Sequence, residues 1–85
     1  MERIGLDVRN EGEIIDNPAP MSLNIPLGRL PDEVEKAIAD KDSTVLIFCE
    51  KGGRAEKAKE FMESLGYSNV ENFGTWREWN ASLKK

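Results

Sequence analysis

Cys49 is the one cysteine of the chain, and it stands where a strand-forming run gives way to a glycine turn. Val45-Leu46-Ile47-Phe48 precede it, and Glu50-Lys51-Gly52-Gly53-Arg54 follow. Glycine accepts backbone conformations that branched residues resist, so the N–H groups around Gly52 and Gly53 can converge on one centre. Donors aimed at a thiol, with a helix N-terminus behind them, favour the nucleophilic thiolate. Arg54 adds a planar fork of donors suited to an oxyanion, and Lys51 a point charge that steers anions inward. The candidate site is therefore Cys49 as nucleophile, with Glu50, Lys51, Gly52, Gly53 and Arg54 around its ligand. Each has a plainer reading: Cys49 as a small core residue, and Arg54 and Lys51 as solvated charges. The Gly-Gly-Arg turn weighs against the core reading of Cys49. Asp7 and Arg9 flank the end of an early strand and read as a structural ion pair or loop brace near the site.

Composition narrows the chemistry. The chain has no histidine, which excludes a Cys–His dyad, a Ser–His–Asp triad and a histidine-ligated metal. A single cysteine excludes an internal disulfide and a Cys-x-x-Cys redox pair. Activation of Cys49 must then come from fixed dipoles and cations, and no metal or organic cofactor is expected. Eighty-five residues, 39% apolar and 33% charged, describe one globular domain spanning residues 1–85. A net charge of -4 argues against nucleic acid as a partner. The longest apolar stretch, Val45 to Cys49, is far too short to cross a bilayer. No basic-then-apolar leader opens the chain, so the expected location is cytoplasmic.

The elements that must position Cys49 follow from periodicity. Arg3 to Arg9 alternates, with Ile4, Leu6 and Val8 on one side, and reads as a strand. Asn10 to Pro20, with glycine, Asp-Asn and two prolines, reads as loop. Ser22 to Ile25 is a short strand stopped by Pro26. A helix then begins near Leu30, with Pro31, Asp32 and Glu33 in its first turn and Leu30, Val34, Ala37 and Ile38 inward. Thr44 to Phe48 is continuously apolar, as in a strand covered on both faces. The next helix starts near Gly53 or Arg54, buries Ala55, Ala58, Phe61, Met62 and Leu65, and stops at Gly66. Asn69 to Phe73 is the last strand. Thr75 and Glu78 have capping-box spacing for a final helix that buries Trp76, Trp79 and Leu83. Alternating strands and helices predict an α/β fold, a small parallel sheet flanked by helices on both faces. Ligands of such sheets bind at the carboxyl ends of the strands, where Cys49 lies.

These residues, taken in order, resemble a single-domain rhodanese of the rhodanese-like superfamily. The matching stretches are Leu6-Asp7-Val8-Arg9, Leu23-Asn24-Ile25-Pro26-Leu27 and Val45 to Cys49 with Gly52 and Arg54. Further on come Arg54-Ala55 with Ala58, Leu65-Gly66-Tyr67, Asn69-Val70, and Gly74 with Trp79. The resemblance implies a sulfurtransferase that moves a sulfane sulfur from thiosulfate or another donor to a thiol or cyanide through a Cys49 persulfide cradled by residues 50 to 54. The implied partners are small-molecule donors and acceptors, or a sulfur-donor or acceptor protein.

The chain also departs from the family pattern. Asn17-Pro18-Ala19-Pro20-Met21-Ser22 replaces a usual Gly-His-Ile-x-Gly-Ala stretch, and Gly74-Thr75 a usual Gly-Gly. The chain starts almost at the Asp-Val-Arg strand, so the fold is expected to be shortened at its N-terminus. The uncovered sheet edge would invite a second chain, and the expected state is a monomer or weak dimer.

Three other readings compete. A cysteine-dependent phosphatase or arsenate reductase places its arginine six residues after the cysteine, against five here. A non-catalytic rhodanese-like binding module and a protein-to-protein persulfide carrier complete the set.

Overall fold

The computed structural model describes residues 3–84. Strands β1 (Arg3–Asp7), β2 (Ser22–Asn24), β3 (Thr44–Cys49) and β4 (Asn69–Thr75) form one parallel sheet in the order β2-β1-β3-β4. Each strand is followed by a helix: α1 (Glu11–Asp16), α2 (Leu30–Ala37), α3 (Gly53–Ser64) and α4 (Trp76–Ser82), with a 3-10 turn at Leu27–Arg29 leading into α2. This is the α/β architecture that the alternating pattern predicts.

The period of two along β3 distributes its side chains between two cores. Val45, Ile47 and Cys49 join Leu6 and Val8 of the first strand region, Leu30, Val34 and Ile38 around α2, and Ala55, Ala58 and Met62 of α3. Leu46 and Phe48 belong to the opposite cluster with Trp79 of α4. The indole of Trp79 stacks on Phe48 with ring centroids 5.2 Å apart and meets Phe73 edge-on. Both faces of the central strand are therefore dry, which is why its sequence is apolar without alternation.

The structure corrects the sequence reading in each helix, and at α3 Phe61 and Leu65 pack against the core only half-buried. Residues 11–16 are helical where loop was expected. Asn10 N–H donates to Glu13 Oε1 at 3.0 Å and Glu13 N–H to the Asn10 carbonyl at 3.0 Å, closing a first turn. None of the α1 residues is buried, so the helix has no apolar stripe to betray it. Ala37 is exposed, because α2 ends there and the chain swings Ile38 inward instead. Trp76 is half-buried, and Leu83 is 38% exposed beyond the last turn of α4. Of the three residues assigned to that helix's inner face, only Trp79 is buried.

Candidate active site

The carboxyl ends of β1 and β3 lie side by side, since Asp7 pairs in register with Phe48 and Val8 N–H donates to the Phe48 carbonyl. Asp7 and Arg9, each 1% exposed, form a buried ion pair there. Arg9 Nη2 lies 2.8 Å from Asp7 Oδ2, and Nε donates to both carboxylate oxygens at 3.0 and 3.1 Å. Nη2 also donates to the Asn17 carbonyl at 2.8 Å, so the pair ties the segment carrying α1 to the sheet. The Arg9 guanidinium sits 5.3 Å from the Trp76 ring centroid. A buried charge needs such complete pairing, because an unanswered one costs several kcal/mol.

Cys49 ends β3 and its loop folds back over it. The Gly52 N–H donates to Cys49 Sγ at 2.9 Å, the one hydrogen bond to that sulfur among the described residues. Gly52 has φ +96°, a left-handed conformation that a side chain would resist, and this turns its amide toward the sulfur. The conformation is clamped from β4. Asn72 Nδ2 donates to the Gly52 carbonyl at 3.2 Å and to Glu56 Oε1 at 3.1 Å, while its Oδ1 accepts from Gly74 N–H at 2.9 Å. Asn72 stands beside a bulge, since Ile47 pairs with Asn72 but Phe48 pairs with Gly74. The extra residue, Phe73, re-aims the end of the strand. Gly53 opens the twelve-residue helix α3, whose N-terminal dipole adds positive potential behind the loop.

An open pocket of about 260 Å³ is lined by Cys49, Glu50, Lys51, Gly53 and Arg54. The structure thus gathers every residue singled out around the thiol, Gly52 through its bond to sulfur. Three of the charged ones are engaged differently from one another. Glu50 turns toward α4, where Trp76 Nε1 donates to its Oε2 at 2.7 Å and Arg77 Nη1 lies 3.7 Å away. Lys51 is exposed and has no ion-pair partner among the described residues. Arg54 does not stand free for an anion. Its Nη1 and Nη2 donate to Glu13 Oε1 and Oε2 at 2.6 and 2.8 Å.

Glu13, Asn72 and Trp76 are parts of the site region that sequence reasoning did not assign to it. The Asn10-x-x-Glu13 spacing was a helix-start signal of the same kind as Thr75 and Glu78. Nothing in the sequence announced that Glu13 would also reach across 41 positions to Arg54.

The bond from Arg54 lowers the Glu13 pKa from 4.5 to about 2, assisted by the Asn10 amide and opposed by partial desolvation. The same bond raises that of Arg54. A carboxylate with a depressed folded pKa contributes stability that is complete above its unfolded value and fades as pH falls toward the folded one. Glu13 therefore stabilises fully above pH 4.5 and loses its contribution between 4.5 and about 2. Both side chains are one-third exposed, so solvent screening holds the contribution to about 1 kcal/mol. Urea midpoints of wild type and Glu13→Gln should differ at pH 6 and draw together as pH falls from 4.5 toward 2. A gap unchanged across that range would show that the ion pair contributes nothing.

Comparison with known proteins places this geometry in a family. The model of the rhodanese-like domain matches residues 2–82. Thiosulfate sulfurtransferase PspE of Escherichia coli is 33% identical over 69 residues, covering 81% of this chain and 66% of that protein. A putative mitochondrial thiosulfate sulfurtransferase of Schizosaccharomyces pombe is 26% identical, with 64% of its length covered, so the chain spans just under two thirds of both. The rhodanese domain-containing protein CG4456 of Drosophila melanogaster is 33% identical, with 87% of this chain and 78% of that protein covered. Among solved structures, a rhodanese with anions from E. coli superposes with TM-score 0.85 at 30% identity, covering 91% of each chain. The human single-domain sulfurtransferase TSTD1 gives 0.75 at 26% identity, over 93% of this chain and 81% of that one. With this fold, and a family match running from the first strand to the last helix, the chain belongs to the rhodanese-like domain family.

Proposed function

We propose that the protein is a sulfurtransferase that carries a sulfane sulfur on Cys49. The observation that supports it most directly is the Gly52 N–H directed at Cys49 Sγ at the floor of an open pocket. A purely structural cysteine has no use for an amide aimed at its sulfur from a left-handed glycine. The thiolate attacks the outer sulfur of a donor such as thiosulfate. A Cys49 S–S bond forms, the donor's S–S bond breaks, and sulfite leaves with the electron pair. Cyanide or a thiol then attacks the terminal sulfur, giving thiocyanate or a new persulfide and restoring the thiolate. The Gly52 amide and the start of α3 hold negative charge on whichever sulfur is anionic, in the manner of an oxyanion hole. Lys51 draws the anion in, and Glu50, Gly53 and Arg54 shape the wall against which the donor lies.

The test is intact mass of the wild-type protein after thiosulfate or polysulfide, then after cyanide. A gain of one sulfur, reversed by cyanide with release of thiocyanate, is the expected result, together with parallel double-reciprocal plots. No gain with either donor would sink this reading and leave a rhodanese-like binding module in its place.

A further inference from the structure

We propose that Glu13 is a specificity-determining residue, which by holding Arg54 biases the Cys49 pocket against dianionic donors and toward donors of lower charge. The proposal rests on the sulfur-transfer reading above and names the donor class within it. Arg54 is the one arginine in the pocket wall, and its charge would otherwise be the natural anchor for a sulfonate oxygen. Its two terminal nitrogens are instead spent on both oxygens of one carboxylate. That carboxylate stays ionised at any neutral pH, so the pair presents almost no net charge to a ligand. The acidic residue that lines the wall, Glu50, is answered in its turn by Trp76 and Arg77. Lys51 is left as the wall's cation without an acidic partner among the described residues, and it is exposed, where solvent and salt screen it. A whole-chain charge of -4 adds repulsion at longer range. A dianion entering this pocket therefore meets few uncompensated positive charges, and each unit of charge on the donor raises the cost.

Thiosulfate and benzenethiosulfonate test this with the same chemistry at charges of -2 and -1. In both, the thiolate bonds to the outer sulfur, the sulfur–sulfur bond of the donor breaks, and sulfite or benzenesulfinate departs with the electron pair. The quantity to follow is the second-order rate of sulfur gain on Cys49 by mass spectrometry. Glutamine at position 13 keeps an oxygen for the Asn10 amide, so the start of α1 retains its bond. Glu13→Gln should speed loading by thiosulfate about tenfold and by the monoanion about threefold, the ratio following the donor charge. Equal changes for the two donors, or a slower rate with thiosulfate, would overturn the proposal while leaving sulfur transfer intact. Wild type alone supplies a second reading that needs no variant. Added salt should raise its thiosulfate rate more than its benzenethiosulfonate rate, and a thiosulfate rate that falls with salt would also overturn the proposal. Failure of wild type to load from either donor would overturn the sulfur-transfer reading itself, and this inference with it.

Discussion

Cys49→Ser is expected to fold and to gain no sulfur from any donor. The residue is 1% exposed at the end of β3, so the substitution must be judged for stability as well as chemistry. A serine hydroxyl is close to the thiol in size, and the Gly52 N–H that donates to Sγ can donate to Oγ. The buried oxygen is then not orphaned, and the cost is about 1 kcal/mol. Chemistry is lost outright, because a hydroxyl is neither ionised near neutral pH nor able to hold a sulfane sulfur. Circular dichroism and a thermal melt should give a folded protein, while mass spectrometry gives no adduct and no thiocyanate follows cyanide. Thiocyanate release at the wild-type rate would remove Cys49 from the reaction.

Gly5→Ala should be the most damaging single methyl in the molecule. A Cβ built on Gly5 would lie 2.4 Å from Trp79 Cη2 and 2.5 Å from Cζ2. Side-chain contacts of that kind can sometimes relax, but this ring cannot swing away. It stacks on Phe48, packs against Phe73 and donates from Nε1 to the Pro20 carbonyl at 2.9 Å. The strand cannot retreat either, because Gly5 sits in β1 between β2 and β3, paired to Ser22 and Leu46. Overpacking at a site fixed from both sides costs about 3 kcal/mol, the upper end of its usual range. In a domain of this size that is a drop of roughly 15 °C in melting temperature. Gly12→Ala and Gly28→Ala, whose added Cβ would meet nothing within 4 Å, are the controls and should melt near wild type. Trp79→Leu combined with Gly5→Ala should be less destabilised than the two singles summed. Strict additivity would mean that the two residues do not collide.

The parts of this molecule that bury apolar side chains were legible from sequence, and the parts that do not were obscure. β3 and α3 announce themselves because Val45 to Phe48 and Ala55, Ala58 and Met62 must face a core. α1 does not, because its stability comes from Asn10, Glu13 and tertiary attachments rather than from a stripe. The cysteine loop was legible because glycine is demanded by geometry, and Gly52 at φ +96° is that demand met. Arg54 was readable as a cation beside Cys49, but its engagement was not, since its partner lies far along the chain in a helix that periodicity cannot detect. The role of Asn72 depends on a bulge between β3 and β4, and strand register is set by pairing that no single segment encodes.

The anchoring of Trp79 to Pro20 has a kinetic side. The bond joins residues 59 positions apart, and Asn80 adds another to Pro18 across 62. With every strand pair parallel, the described residues hold no hairpin to nucleate the sheet locally. Loop closure between distant segments must come first, which places the molecule among the slower small folders. As the chain leaves the ribosome, Leu46 and Phe48 lack the Trp79 ring on one side until α4 is made. Synthesis of α4 is thus the step that completes the cover of the central strand, and until then its apolar face is open to chaperones and to aggregation.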